Sequence, residues 1–554
     1  MTSALKIAIA TINPTVGDID GNATRILKVR EETPDVDLIV YSELCLIGYP
    51  PEDLVLKPAF QRDAMDKTVE LAQVTKDGGP AMLISSLWVE GGKLYNSSIM
   101  LDNGTIAAIR HKRDLPNYGV FDEKRVFSRG PCPEPVEFKG VKLGVLTCED
   151  LWWEEVTEYL TNKHSDILVS LNGSPYDLPK AGDRLTNGKD RVTQSGLPLI
   201  YTNQVGGQDE LVFDGEAFIM DTAGNIVMRQ QSFVEETTVT NWFKGENGKW
   251  ACSPMDVAEK NDRLTDIYQA MMIGVRDYVN KNRFPGVIIG MSGGVDSALS
   301  AIVAVDALGA DRVHLVMMPS KYTSEESLID ASDAARMMGC SIDNIPINDA
   351  VEAFDKTLEA SFAGTEADLT EENLQSRIRA IILMGISNKH GKMVLTTGNK
   401  SEMSVGYATL YGDMCGGYNA LKDIYKLDVF KLCHWRNENH PNGGLGPRGQ
   451  IMPTNIIEKP PTAELRPDQK DEDSLPPYEV LDDILECLIE KEMTKKDIVK
   501  RGHDQETVAR IQHLLYIAEY KRRQSPPGVK ISDKNFGRDR RYPITNGYRD
   551  KKVN

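Results

Sequence analysis

The stretch FPGVIIGMSGGVDSALSAIVAVDALG constrains the fold of this chain more than any other segment. An apolar strand, Val287 to Gly290, runs into a glycine-rich turn and then into a long helical series of Ala, Val, Ile and Leu. A strand and a helix with no polar face must both be buried, which predicts a β-turn-α unit in a parallel sheet covered on both sides. Further apolar runs at Val313 to Met318 and Met393 to Thr397, with helical patterns between them, extend the prediction to a doubly wound, Rossmann-like α/β unit.

The turn carries chemistry of its own. Gly290, Met291, Ser292, Gly293, Gly294, Val295, Asp296 and Ser297 lie where a strand ends and a helix begins, so free N–H groups and the positive helix end converge on an anion. Glycines allow close approach to phosphate, the hydroxyls can donate to its oxygens, and Asp296 offers a hard oxygen to magnesium. A lone glycine pair in such a turn is usually only a turn. Here the whole SGGVDS hexapeptide resembles the pyrophosphate loop of the ATP-pyrophosphatase family, of the adenine nucleotide alpha hydrolase type, whose members split ATP into AMP and pyrophosphate. It lacks the GK[ST] ending of a Walker loop.

A second dense run, LTTGNKSEMSVGYATLYGDMCGGYNALKDIYK, crowds glycines, hydroxyls, carboxylates and lysines beyond the strand at Met393. Gly and Thr are poor helix formers, so a strand-end binding loop is expected. Thr397 and Glu402 can join Asp296 as oxygen ligands of magnesium, Asp413 can meet a polar substrate group, and Lys426 can neutralise phosphate. The run resembles the signature of the NAD synthetases, as do ENLQSRIR from Glu372 and the tail YKRRQSPPGVK. The resemblance implies that ATP, with Thr397 at its site, adenylates the nicotinate carboxylate of deamido-NAD and that ammonia displaces AMP. It implies contacts to deamido-NAD from Asn373, Arg377, Glu402, Asp413, Lys426 and Lys521, and a homo-oligomer.

The N-terminal half alternates short β-rich runs with polar or helical segments, among them Ile7 to Ile12, Asp37 to Ser42, Ala81 to Val89, Val141 to Thr147, Ile167 to Leu171 and Leu199 to Asn203. Glu43 and Cys148 each follow such a strand, at the edge where α/β sites form. A carboxylate base, a thiol nucleophile and a lysine ammonium, Lys112, suffice to open an amide through a thioester. Lys112 beside the sulfur would lower its pKa. Taken singly, a Cys after a strand is usually core. Together these segments resemble the nitrilase superfamily, and within it the glutaminase domain fused to NAD synthetases, which implies an α-β-β-α sandwich and a Glu43-Lys112-Cys148 triad. The same resemblance adds Glu123 near the triad, Tyr118, Ser174 and Lys180 as glutamine contacts, and Glu149 and Trp152 as support.

The 554 residues suit two large domains, with 1–235 the glutaminase, 236–262 a polar linker around Trp242 and Trp250, and 263–554 the synthetase. A net charge of −18 argues against general nucleic-acid binding. Eight scattered cysteines without CxxC spacing read as reduced thiols of a cytoplasmic protein, and no apolar run approaches the roughly 18 residues of a membrane span. GMP and asparagine synthetases also carry pyrophosphatase loops, but Thr2 follows the initiator and no cysteine occupies a nucleophile elbow, so their usual glutaminases are missing. An amide hydrolase with a nucleotide-sensing module would not need Asp296, Glu402 and Lys426 together. Two separate chemistries imply that ammonia travels inside the protein. The segment TAELRPDQKDEDSLPPY reads as an irregular loop, and the basic tail from Arg522 as a phosphate cover or a solvated end.

Overall fold

The computed structural model describes residues 4–548 apart from 247 and 468, and only the backbone at 181. The chain divides into two compact units between Asn261 and Asp262.

The first unit is built on two large sheets. One runs, edge to edge, Trp250–Cys252, Glu236–Lys244, Ala4–Thr11, Leu38–Val40, Ala81–Glu90, Lys93–Asp102 and Thr105–His111. The other runs Ile226–Arg229, Phe218–Met220, Leu199–Asn203, Ile167–Asn172, Val141–Thr147 and Val136–Phe138. Strand periodicity explains their stacking. Ile7, Ile9, Leu38 and Val40 of the first sheet meet Leu143, Val145, Val169 and Leu171 of the second in one buried cluster. Alternate residues turn outward, where Ala8, Ala10, Ile39 and Met82 pack with Ile26, Phe60, Ala64 and Leu71 of the helices Ile19–Glu32 and Pro58–Val74. Leu146, Leu168 and Leu199 do the same with Val156, Leu160 and Val192 of Glu154–Asn162 and Lys180–Ser195. The result is the expected α-β-β-α sandwich.

The expected linker is not one. Glu236–Lys244 pairs antiparallel with the first strand along its length, from Ala4 opposite Phe243 to Thr11 opposite Glu236, and Trp250–Cys252 extends the sheet. Its Thr-rich alternation leaves one face polar, which disguised a strand as linker composition. Trp242 and Trp250 are core residues, 1% and 2% exposed. Trp242→Ala should therefore lower the unfolding free energy by about 3–5 kcal/mol in denaturant titration, whereas a linker tryptophan would cost next to nothing.

In the second unit a five-stranded parallel sheet runs Ser341–Asn344, Val313–Met317, Val287–Gly290, Met393–Thr396, Tyr418–Asn419. Chain order reverses between Val287–Gly290 and Met393–Thr396, so a crevice opens at their carboxyl ends. Both motif-bearing loops emerge there. Arg263–Lys281, Val295–Leu308 and Lys426–Glu438 form one packed group, and Ile378 of Leu369–His390 joins Ile288 and Val316 of the sheet. Tyr478–Ile489, Lys495–Lys500 and Gln505–Ile517 build a separate apolar cluster with Met403 and Val405.

Up to Arg540 the tail is largely packed against the unit rather than solvated, whereas residues 541–548 are mostly exposed. Arg522 donates to the carbonyls of Met403 and Ser404 at 3.2 and 2.7 Å, Lys530 pairs with Asp539 at 3.2 Å and Arg540 with Glu519 at 3.2 Å. All eight cysteines are free thiols. Among the described residues no helix is long and apolar enough to cross a membrane.

Candidate functional site

In the first unit, three segments deliver the expected triad to one buried place. Glu43 lies just beyond Leu38–Val40 and is fully buried. Lys112 follows Thr105–His111, the second strand of a tight hairpin, and is 1% exposed. Cys148 opens a 3-10 turn directly after Val141–Thr147, with a left-handed φ of 47° that thrusts the residue out of the strand direction. The Lys112 ammonium donates to Glu43 Oε1 at 2.7 Å and to both oxygens of Glu123 at 2.9 Å. Asn96 Nδ2 donates to Glu43 Oε1 at 2.7 Å, the Gly173 N–H to Glu43 Oε2 at 2.9 Å, and Tyr49 OH to Glu123 at 2.8 Å. Each carboxylate is therefore held rigidly.

Electrostatics corrects one expectation. Burial pushes the Cys148 thiol well above its usual range and Glu43 pushes it further; Lys112 opposes both without prevailing, because its charge is shared by two carboxylates. Burial alone would lower the Lys112 ammonium, but Glu123 and Glu43 hold it well above the ordinary value. Burial first, then Glu43, raises Glu123 to about 7. The balance of these effects favours the protonated thiol, with the Glu43 carboxylate close enough to act on it electrostatically.

The remaining expected residues have partners of their own. Tyr118, half exposed, donates to Glu149 Oε2 at 2.9 Å, and Trp153 rather than Trp152 donates to Glu149 Oε1 at 3.2 Å. The Lys180 ammonium stands 4.8 Å above the Phe121 ring, which meets Tyr118 edge to face. Ser174 is buried, its hydroxyl accepting from Arg184 at 3.1 Å, while Arg184 is paired with Asp214 at 2.7 Å. Asn96, Tyr49, Arg184 and Asp150 were not singled out in the sequence. The Asn103-Gly104 turn signal could have located the hairpin that carries Asn96 and leads to Lys112.

In the second unit a cavity of about 820 Å³ opens at the strand reversal. Gly290, Met291, Ser292, Gly294, Val295, Asp296, Ser297, Thr397, Asn373, Glu402, Asp413, Lys426 and Lys521 all line it. Two expected residues do not. Gly293 turns away with φ 81°, and a Cβ there would lie 2.3 Å from the Ser327 carbonyl, so its glycine serves close packing. Arg377 donates instead to the Leu410 carbonyl at 3.1 Å. The loop is preorganised by its own serines: Ser297 Oγ meets Ser292 Oγ at 3.1 Å and donates to the Gly294 carbonyl at 2.9 Å.

Asp296 is paired with the Lys426 ammonium, which also stands 3.5 Å from Glu402. Asn399 ties the two motifs together, donating to Asp296 Oδ1 at 2.8 Å and accepting from the Glu402 N–H at 3.0 Å. Burial, and then Asp296, raises Glu402 to about 8, as befits two carboxylates competing for one cation. Asp413 accepts from the Thr409 N–H at 2.7 Å and is raised by burial. Lys521 donates to the carbonyls of Gly406 and Ala408 at 2.8 and 2.7 Å, and burial lowers it. Arg379, which the sequence did not single out, also lines the cavity, and burial lowers it to about 10.

The carbon-nitrogen hydrolase family model matches residues 6–242 and the NAD synthase model residues 267–525. The chain is 46% identical over 552 residues to a glutamine-dependent NAD(+) synthetase of Rhodobacter capsulatus, covering 99% of this chain and 100% of that one. It is 43% identical to the corresponding protein of Acinetobacter baylyi, covering 99% of each. Among solved structures, the glutamine-dependent NAD+ synthetase of Acinetobacter baumannii in complex with ADP matches with a TM-score of 0.78 at 40% identity, over 98% of this chain and 99% of that one. A glutamine-dependent NAD(+) synthetase from Cytophaga hutchinsonii has the same fold, with a TM-score of 0.82 at 21% identity and 98% of each chain covered.

Proposed function

The chain belongs to the glutamine-dependent NAD(+) synthetases, a ligase family that takes its amide nitrogen from glutamine, and on that premise we propose how its own residues carry the reaction. The observation that carries the reading is the pairing, in one chain, of a buried Glu43-Lys112-Cys148 cluster with a phosphate loop facing Lys426.

In the first unit Glu43 takes the thiol proton as sulfur attacks the glutamine amide carbon, and Lys112 meets the developing oxyanion. The proton passes to the departing nitrogen, the C–N bond breaks, ammonia leaves, and water activated by Glu43 hydrolyses the thioester to glutamate. Because the thiol is held protonated, proton transfer accompanies attack. Tyr118, Ser174 and Lys180 contact the glutamine, and Glu123 keeps Lys112 in place.

Glu123 gives this site a pH dependence. Its pKa lies near 7 instead of 4.5, so acidification through neutrality protonates it and weakens its hold on Lys112. Glutamine-hydrolysis kcat should fall as pH drops through about 7. Glu123→Gln should sit at the acid-inhibited level, roughly 10²-fold down, without that limb. An unchanged acid limb in the variant would contradict the assignment.

In the second unit a carboxylate oxygen of deamido-NAD attacks the α-phosphorus of ATP and pyrophosphate leaves, cradled by the N–H groups of the 292–297 loop and by Lys426. Ammonia attacks the acyl carbon of the adenylate, and AMP departs with the former carboxylate oxygen. Asn373, Asp413 and Lys521 are placed to hold the dinucleotide, supported by their positions in the cavity wall. Magnesium fits two carboxylates drawn around the Lys426 cation, since this ion prefers one or two carboxylates plus phosphate oxygens; Asp296, Thr397 and Glu402 would hold it. When bound it supplies charge neutralisation for the leaving pyrophosphate.

Free thiols throughout support a reducing, cytoplasmic location. The test of the function is product stoichiometry with deamido-NAD, ATP and glutamine: one AMP and one pyrophosphate per NAD. ADP with phosphate would contradict it.

A further inference from the structure

No step of glutamine hydrolysis uses Asp150, yet this residue connects the two strands of the chemistry. Lys112 arrives from the seven-stranded sheet and Cys148 from the six-stranded one, so no ladder of strand hydrogen bonds fixes one against the other. Asp150, 1% exposed, spans the gap. Its Oδ2 accepts from the Thr147 N–H at 3.0 Å, immediately before the cysteine. Its Oδ1 accepts from the N–H groups of Arg113 and Asp114 at 3.0 and 2.7 Å, immediately after the lysine. The Thr147 side chain accepts in return from the Asp150 backbone N–H, closing a capping box around Cys148, and Thr147 Oγ1 also meets Ser98 Oγ of the first sheet at 3.0 Å.

We infer that Asp150 is a positioning residue that holds the Cys148 turn in register with the Lys112 loop, so that sulfur, base and ammonium share one geometry. Three backbone N–H groups donate to one buried carboxyl group; burial raises it to about 7 while the Asp114 and Thr147 N–H groups oppose that shift, and whenever it is ionised it is a stronger and more directional tether than a neutral acceptor. The tether is needed because Cys148 has a backbone conformation that a non-glycine residue adopts only when its surroundings impose it. Asparagine has the same shape but one acceptor oxygen, so its amide nitrogen must confront either Thr147 or the Arg113 and Asp114 N–H groups. This inference rests on the glutaminase reading of the Glu43-Lys112-Cys148 cluster.

The test is made on the full chain. Asp150→Asn and wild type are each titrated with iodoacetamide, the Cys148 peptide is quantified by mass spectrometry, and glutamine-hydrolysis kcat is expressed per alkylatable Cys148. The expected result is a loss of roughly 10²-fold per site, with little change in glutamine KM and undiminished NAD formation from ammonium. An unchanged kcat per site overturns the inference, including the case in which only the number of sites falls, since that is a folding effect alone. Hydrogen exchange on the wild-type protein covers a variant that does not fold: the Arg113 and Asp114 amides should exchange slowly, and fast exchange there overturns the inference as well. Cys148→Ala runs in parallel. If it retains glutamine-driven synthesis, the reading of the site fails rather than the role of Asp150.

Discussion

Cys148→Ala is expected to abolish NAD formation from glutamine, by about 10⁴-fold or more, while NAD formation from ammonium continues at the wild-type rate. Alanine removes the sulfur and nothing else, leaving Glu43, Lys112 and Glu123 with all the partners that hold them. A carboxylate and an ammonium without a nucleophile can polarise an amide but cannot form the thioester, and the loss falls entirely on ammonia supply. The second unit has its own sheet, its own core and its own cavity, so synthesis from external ammonium should not need the sulfur of the first unit. Steady-state NAD production with each donor checks this. Equal loss with both donors would contradict the division of labour.

Asp296→Asn should behave in the opposite way, lowering NAD formation about 10³-fold with glutamine and ammonium alike. Asp296 is the loop residue at which three elements meet: it stands on the first turn of Val295–Leu308, accepts from Asn399 at 2.8 Å and is ion-paired with Lys426. Asparagine keeps the volume and removes the charge, leaving Lys426 with Glu402 at 3.5 Å and weakening the proposed seat for magnesium. Pyrophosphate release should fall in parallel, since the lost step precedes any use of ammonia. Retained synthesis with ammonium would contradict the role of Asp296.

The sequence disclosed what is local and apolar. Strands such as Val141–Thr147 and Val287–Gly290 declare themselves because they are buried on both faces, and the loops at their carboxyl ends carry the reactive groups of a parallel sheet. Glu236–Lys244 did not, because one face of it is polar and its partner, Ala4–Thr11, lies at the other end of the unit. The same distance hid the residues that hold the site. Asn96, Tyr49, Asp150 and Asn399 act through partners brought near by folding, so their roles were not legible even where, as with Asp150 and Asn399, they lie within a motif that carries chemistry. Thiol acidity was misjudged for a related reason. Lys112 lowers the Cys148 pKa as its proximity predicts, but burial and then Glu43 raise it further, and the depth of the thiol and the carboxylates around it emerge only in three dimensions.

The central claim is that nitrogen released at Cys148 displaces AMP from a carboxylate activated at the 292–297 loop. A single mass-spectrometric measurement addresses both halves: turnover of deamido-NAD labelled with ¹⁸O in its nicotinate carboxylate, with glutamine labelled with ¹⁵N in its amide. The account predicts NAD carrying ¹⁵N and AMP carrying one ¹⁸O per molecule formed. Unlabelled AMP, or ¹⁸O recovered in inorganic phosphate, would contradict it.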